Sequence, residues 1–193
     1  MLPEQKKLDP RVIRTRRDLA ASMSSLMREK PFSQITVRQI TEQAMINRAT
    51  FYAHFEDKYR LLDYIVERSF REKLESKIGA FDGFSPEHLR LLMLATCEFL
   101  AEFRDDYAPH KGNEPIPIKG KVQPLVYQVL LRWAKTSGIG GEAGQSAETI
   151  VMVTSWTIFG PALRWSHGSR EISAENLIEQ VMPLLMQGLD SIL

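Results

Sequence analysis

Apolar residues recur every three or four positions along almost the whole chain, and no stretch alternates convincingly with the period of two that a strand requires. The pattern predicts a first helix that opens on Asp9 as N-cap with Pro10 in the first helical position. That helix shows Val12, Leu19, Met23, Leu26 and Met27 along one face. "KPFSQ" ends it, and Thr36 opens a second helix with Gln39 three residues on, the spacing of a capping box. Ile40 and Ala44 are its inward positions. Asn47 caps a third, short helix in which Phe51 and Phe55 lie one turn apart. Asp57 caps a fourth, whose Leu61, Leu62, Ile65, Val66, Phe70 and Leu74 run on until Gly79.

"GAFDGFSP" is the first clear joint. Beyond it, Leu89, Leu92, Met93, Thr96, Phe99, Leu100 and Phe103 form a strong amphipathic stripe. The Pro- and Gly-containing "DDYAPHKGNEPIPIKG" follows as a loop, before a helix carrying Val122, Leu125, Val126, Val129, Leu130 and Trp133. Two further helices are expected at about residues 147–167 and 174–192, with Ser173 as cap of the second. Each contains a proline, Pro161 or Pro183, expected to kink it. Both are apolar around much of their circumference, more than one small bundle hides, so a subunit interface is expected to cover the rest.

Composition changes this picture little. The 193 residues are 44% hydrophobic and 25% charged, the balance of a globular protein with a real core. The basic start lacks the apolar run of a secretory signal, and the greasiest stretch, "LRLLMLATCEFLAEF", is interrupted by Arg90, Glu98 and Glu102, so no membrane span is expected. A single cysteine, Cys97, excludes an internal disulfide framework, fits a reducing cytoplasm, and reads as a buried inert thiol. Charge adds more. The formal net charge is only +1, yet residues 1–78 hold 16 Lys/Arg against 11 Asp/Glu, while residues 79–193 hold 9 against 13. A basic front and an acidic back suggest that the front meets a polyanion, although an ordinary solvated surface could carry the same imbalance.

The stretch "INRATFYAHF" makes the front end specific. A helix built only to pack would not carry Asn47, Arg48, Thr50, Tyr52 and His54 within eight positions. Two short helices about a tight turn read as a helix-turn-helix, whose second helix enters the major groove of double-stranded DNA. Ile46, Phe51 and Phe55 would hold that helix to its scaffold. Arg48 can place a bidentate fork on guanine, while the hydroxyls of Thr50 and Tyr52 donate to phosphate or base, with His54 on the same arc. Arg38 in the first turn of the second helix, Lys58 at the start of the fourth, and Arg14, Arg16 and Arg17 in the first are expected near phosphates. The competing explanation is a helical hairpin with a wet, charged face.

"ITVRQITEQAMINRATFYAHFEDKYRLL" also resembles the signature of the TetR/AcrR family of bacterial repressors. The residues that carry the resemblance are Thr36, Val37, Ile40, Ala44, Ile46, Thr50, Phe51, Tyr52, His54, Phe55, Lys58 and Leu61. It covers about residues 9–75; beyond them only the helix count and the closing "WTIFGPALRWSHG" look like the family. Three positions depart from the pattern: Met45 stands where glycine is usual in the turn, Thr41 replaces a small alanine, and Asn47 replaces serine as cap. If the turn needs positive φ, Met45 is strained by about 1 kcal/mol or more. Together, periodicity and resemblance imply an all-α fold of about nine helices. A helix-turn-helix domain at 9–56 is joined by a connecting helix at 57–78 to a helical-bundle domain at 79–193 for ligand binding and dimerisation. The resemblance further implies a homodimer on an inverted-repeat operator, paired through its last two helices. A small-molecule effector in the C-terminal domain would release the DNA by binding the incompetent state more tightly, with the fourth helix as lever.

Candidate lining for that effector is Phe99, Phe103, Tyr127, Trp133, Met152, Trp156, Phe159 and Arg164, though such a stripe is more often plain core. Arg164 and Arg132 are informative only if buried, where a cation needs an acidic partner. His110 reads as a surface histidine. An enzyme is the rival class. The four histidines are scattered, no metal-ligand or nucleophile motif appears, and no cofactor or catalytic set is expected. "GIGGEA" at 138–143 spells part of a dinucleotide fingerprint, but a helix rather than a strand precedes it. A third alternative is a DNA-binding regulator without any small ligand.

Overall fold

The computed structural model of the protein describes residues 9–78, 83–107, 118–138 and 147–190. Eight α-helices are present among them: α1 Pro10–Glu29, α2 Val37–Ala44, α3 Arg48–His54, α4 Lys58–Ile78, α5 Pro86–Tyr107, α6 Lys119–Thr136, α7 Ala147–His167 and α8 Ala174–Asp190. A single turn of 3-10 helix, Phe32–Gln34, lies in the connector "KPFSQ". No strand occurs among the described residues. The all-α expectation holds, with eight α-helices against the nine anticipated.

The caps act where the side-chain chemistry places them. Asp9 accepts from the Arg11 amide at 2.8 Å, and Asp57 accepts from the Arg60 amide at 2.8 Å. Ser173 accepts from the Asn176 amide at 3.2 Å at the start of α8. Each satisfies one of the amides that a helix N-terminus leaves without an intrahelical partner. The helices continue through Pro161 and Pro183, and α6 holds a third interior proline, Pro124. The joint and loop expected at 79–82 and 108–117, with Gly79 and His110, lie outside the described residues, as does "GIGGEA" beyond Gly138.

By packing, the chain divides into two compact units, and the division falls inside α4 between Arg68 and Ser69. The amino-terminal unit comprises, among the described residues, 9–68 with 104–107 and Ile118. Its core is Leu19, Met23, Met27, Ile35, Ile40, Phe51, Leu61 and Leu62, all essentially without solvent contact. Here α1 packs against α2 and α3, and α2 against α3. Burying each large side chain contributes roughly 1.5–3 kcal/mol, which is what lets two helices of 8 and 7 residues hold their shape.

In the other unit α6 packs on α7 and α7 on α8. Phe70 of α4 meets Phe99 of α5 edge to face, with centroids 5.4 Å apart. Beside them Lys73 reaches Glu102 at 2.6 Å and Lys77 reaches Glu98 at 2.7 Å. Cys97 is fully buried, and that burial, reinforced by Glu98 and Glu175, pushes its thiol up to about 12. A thiol so far from ionisation is a small apolar filler, as expected. No described helix is long and apolar enough to cross a membrane.

Candidate nucleic-acid interface

The two short helices of the amino-terminal unit are each fixed at both ends by local chemistry. The Thr36 hydroxyl accepts from the Gln39 amide at 3.3 Å, while Gln39 Oε1 accepts from the Thr36 amide at 3.0 Å, completing the capping box. At the far end of α2, the Ile46 amide returns to the Thr41 carbonyl at 2.9 Å and the Met45 amide to that of Glu42 at 3.2 Å. These two bonds define a Schellman turn, and they set Met45 in the left-handed region at φ 55°, ψ 38°. The Thr41 hydroxyl, buried between the helices, donates to the Arg38 carbonyl at 2.9 Å, so no polar group is stranded there. Asn47 then accepts from the Ala49 amide at 2.8 Å and starts α3.

Phe51 is fully buried in α3 and Phe55 nearly so, their rings 5.9 Å apart. The opposite stripe, Arg48, Ala49, Tyr52 and Ala53, is exposed. Thr50 and His54 flank it, half-buried. Burial first, and then the nearby Arg16 charge, hold the His54 imidazole below its ordinary value and favour the neutral ring. Next to this stripe lies an open cleft of about 440 Å³ lined by Arg38, Thr41, Glu42, Met45, Ile46 and Arg48. Arg38 donates through Nε to Glu42 at 2.7 Å, which leaves the outer edge of its guanidinium facing solvent. Arg14 and Arg17 are exposed on α1, each within 4 Å of Asp18. Exposed Ala49 and Ala53 were not singled out from sequence, and Met45 only as a departure in the turn. Their signal was the position of Ala49 and Ala53 between the buried turns of Phe51 and Phe55.

Two residues expected at phosphate make contacts within the protein. Lys58 donates to the carbonyls of Phe32, Ser33 and Ile35 at 2.9, 3.1 and 2.7 Å, and burial lowers its ammonium from the ordinary lysine value. Arg16 is half-buried, with its guanidinium 5.6 Å from the Phe55 centroid and 6.0 Å from that of Tyr64. Its Nε is buried without a hydrogen-bond partner among the described residues. Stacking on aromatic faces compensates part of that desolvation. Both side chains reach inward because a large aromatic face lies within the length of their stems.

The expected effector lining also divides. Phe99, Phe103, Trp133 and Phe159 are buried core, and Tyr127 is half-buried. Met152, Trp156 and Arg164 instead lie on the exposed side of α7. The helix has buried Ile150, Val151, Thr154, Ser155, Ile158, Phe159 and Ala162, and 3.6-residue periodicity turns 152, 156 and 164 the other way. These three therefore face outward in the single chain, and an exposed Arg164 needs no acidic partner. With Val153 on α7 and Leu184 on α8, Met152 and Trp156 form an uncovered apolar set, Trp156 being 56% exposed. Among the described residues no group of three His, Cys, Asp or Glu side chains could hold a metal ion.

Residues 20–65 match the family model "Bacterial regulatory proteins, tetR family". The chain is 37% identical over 73 residues to the uncharacterized HTH-type transcriptional regulator YxbF of Bacillus subtilis, covering 37% of this chain and 19% of that protein. It is 34% identical over 78 residues to DhaS of Lactococcus lactis, an HTH-type dhaKLM operon transcriptional activator, covering 40% of this chain and 41% of that one. The chain thus spans less than half the length of the curated relatives it matches. Among solved structures, a TetR variant from Acinetobacter baumannii in complex with minocycline superposes with a TM-score of 0.59 at 19% identity, over 96% of this chain and 98% of that one. At that identity the likeness shows the fold.

Proposed function

The chain belongs to the tetR family of bacterial regulatory proteins, and from that premise we propose that it is a transcriptional regulator reading double-stranded DNA through α3. The observation that carries this reading is the exposed stripe of α3, Arg48, Ala49, Tyr52 and Ala53, presented by two capped helices beside an open cleft. α3 rises about 10 Å over its 7 residues and fits lengthwise in a major groove. Arg48 reads guanine, Tyr52 and Thr50 reach bases or phosphates, and Arg38 donates through its outer edge. The methyl groups of Ala49 and Ala53 suit thymine. Arg14, together with Arg17, supplies charge to the flanking backbone, while the caps Thr36 and Asn47 offer their amide ends to phosphates.

The regulator acts as a homodimer on an inverted-repeat operator, with the uncovered apolar faces of α7 and α8 supporting self-association. A small-molecule effector held by the carboxy-terminal unit releases the DNA, which makes the protein a repressor; a bound minocycline in the Acinetobacter protein supports effector binding in this fold. One observation favours the opposite sign: DhaS, alike over 78 residues, is named an activator. The rival classes, a ligand-free regulator or a helical enzyme, have no comparable observation behind them.

Arg48→Ala tests the reading directly. Its affinity for a duplex from the promoter region of its own gene should fall roughly tenfold to a hundredfold, with a much smaller loss on scrambled duplex. Equal losses on the two DNAs would remove Arg48 from base recognition.

A further inference from the structure

The Lys58 ammonium has three protons and meets three protein acceptors. They are the carbonyls of Phe32 at 2.9 Å, Ser33 at 3.1 Å and Ile35 at 2.7 Å. It lies 4.7 Å from the Phe32 ring centroid and 5.7 Å from that of Tyr59, and these two rings meet edge to face. The carbonyls belong to the 3-10 turn and its end, and that of Phe32 also accepts from the Ile35 amide at 3.1 Å. Ile35 immediately precedes Thr36, the cap that starts α2. Lys58 is the first residue of α4, with three residues between it and the end of α3. One side chain therefore ties the segment entering the helix pair to the segment leaving it, across 23 to 26 residues of sequence.

We propose that Lys58 is a positioning residue that clasps both flanks of the α2–α3 pair and so fixes the aim of Arg48 and Tyr52, without itself touching a phosphate. This rests on the DNA-binding reading above. A phosphate oxygen could be served only by releasing a carbonyl, and each carbonyl released beside the buried Phe32 ring would lose a charge-assisted partner. Arg14 and Arg48, by contrast, are exposed.

Counterion release separates the two roles. A lysine on a phosphate contributes about 0.9 to the slope of log affinity against log salt, so its removal from both subunits of a dimer flattens the slope by about 1.8. A clasp contributes nothing to the slope. The variants are Lys58→Met, which keeps the stem and removes the donors, and Lys58→Arg, which restores donors. Binding is measured by anisotropy on the promoter duplex and a scrambled duplex across a salt series, well below the melting temperature. The clasp predicts at least a tenfold loss for Lys58→Met on the promoter duplex, little loss on the scrambled one, an unchanged slope on both, and partial recovery in Lys58→Arg. A flattened slope, equal losses on the two duplexes, or no loss at all overturns it.

Wild-type protein that binds neither duplex at low salt overturns the DNA-binding reading, and this role with it. A shallower slope in the variant alone overturns only the clasp. Should Lys58→Met fail to fold, side-chain NMR of the wild type decides. A fully bonded ammonium exchanges its protons with water slowly, and its signal should persist unshifted when DNA is added. Exchange as fast as that of exposed lysines refutes the clasp.

Discussion

Met45→Gly should make the protein more stable, although glycine usually weakens helical regions. Met45 closes α2 in the left-handed conformation at φ 55°, ψ 38°, and its side chain is 93% exposed. For an L-residue that conformation costs roughly 1–2 kcal/mol, because Cβ crowds the following carbonyl. Glycine removes the crowding but adds freedom to the unfolded chain, a loss of about 0.5–1 kcal/mol. The net gain is therefore about 0.5–1 kcal/mol, and a chain of 193 residues should melt about 1–4 °C higher. Two comparisons isolate the cause. Met45→Ala should be close to neutral, since the backbone strain remains and the deleted side chain packs against little. Met45→Val should lose about 1 kcal/mol, because β-branched side chains tolerate positive φ least. The assay is thermal or urea unfolding followed by circular dichroism. A glycine variant that melts at or below the wild type would refute the strain argument. A large loss in Met45→Ala would mean that the side chain, not the backbone, matters there.

Two further outcomes follow from the same geometry. His54 has its folded-state value held below the usual 6.5 or so, by burial and by Arg16, while the unfolded chain takes up the proton at that ordinary value. Its contribution to stability is therefore complete above about pH 6.5 and lost as pH falls through the folded value. His54→Gln should flatten this part of the stability–pH curve; an unaltered curve would place the acid sensitivity elsewhere. Trp156→Glu puts a charge in the middle of the uncovered α7 face and should weaken self-association by roughly 2 kcal/mol, about thirtyfold, in sedimentation. An unchanged dimer would move the interface away from α7.

Local chemistry was legible in the sequence by itself. Capping residues act within three positions of themselves, so Asp9, Thr36 with Gln39, Asn47, Asp57 and Ser173 announced helix starts before any packing was known. Periodicity gave the all-α class and the buried pair Phe51 and Phe55, because a helix repeats its inward face every 3.6 residues whatever it packs against. The left-handed turn at Met45 was anticipated only as a condition, since side-chain identity argued against it and the Schellman bonds settled it.

What tertiary structure alone decided is where long cationic and aromatic side chains end. Lys58 and Arg16 look like any basic residues beside a DNA-reading helix. Only three carbonyls 23 to 26 residues away, and the rings of Phe55 and Tyr64, turn them inward. Likewise Trp133 and Trp156 are the same residue type in similar apolar stretches. One is core and the other surface because burial depends on which face the neighbouring helices cover. A flexible stem several bonds long has many reachable partners, and the choice among them rests on contacts that are remote in sequence.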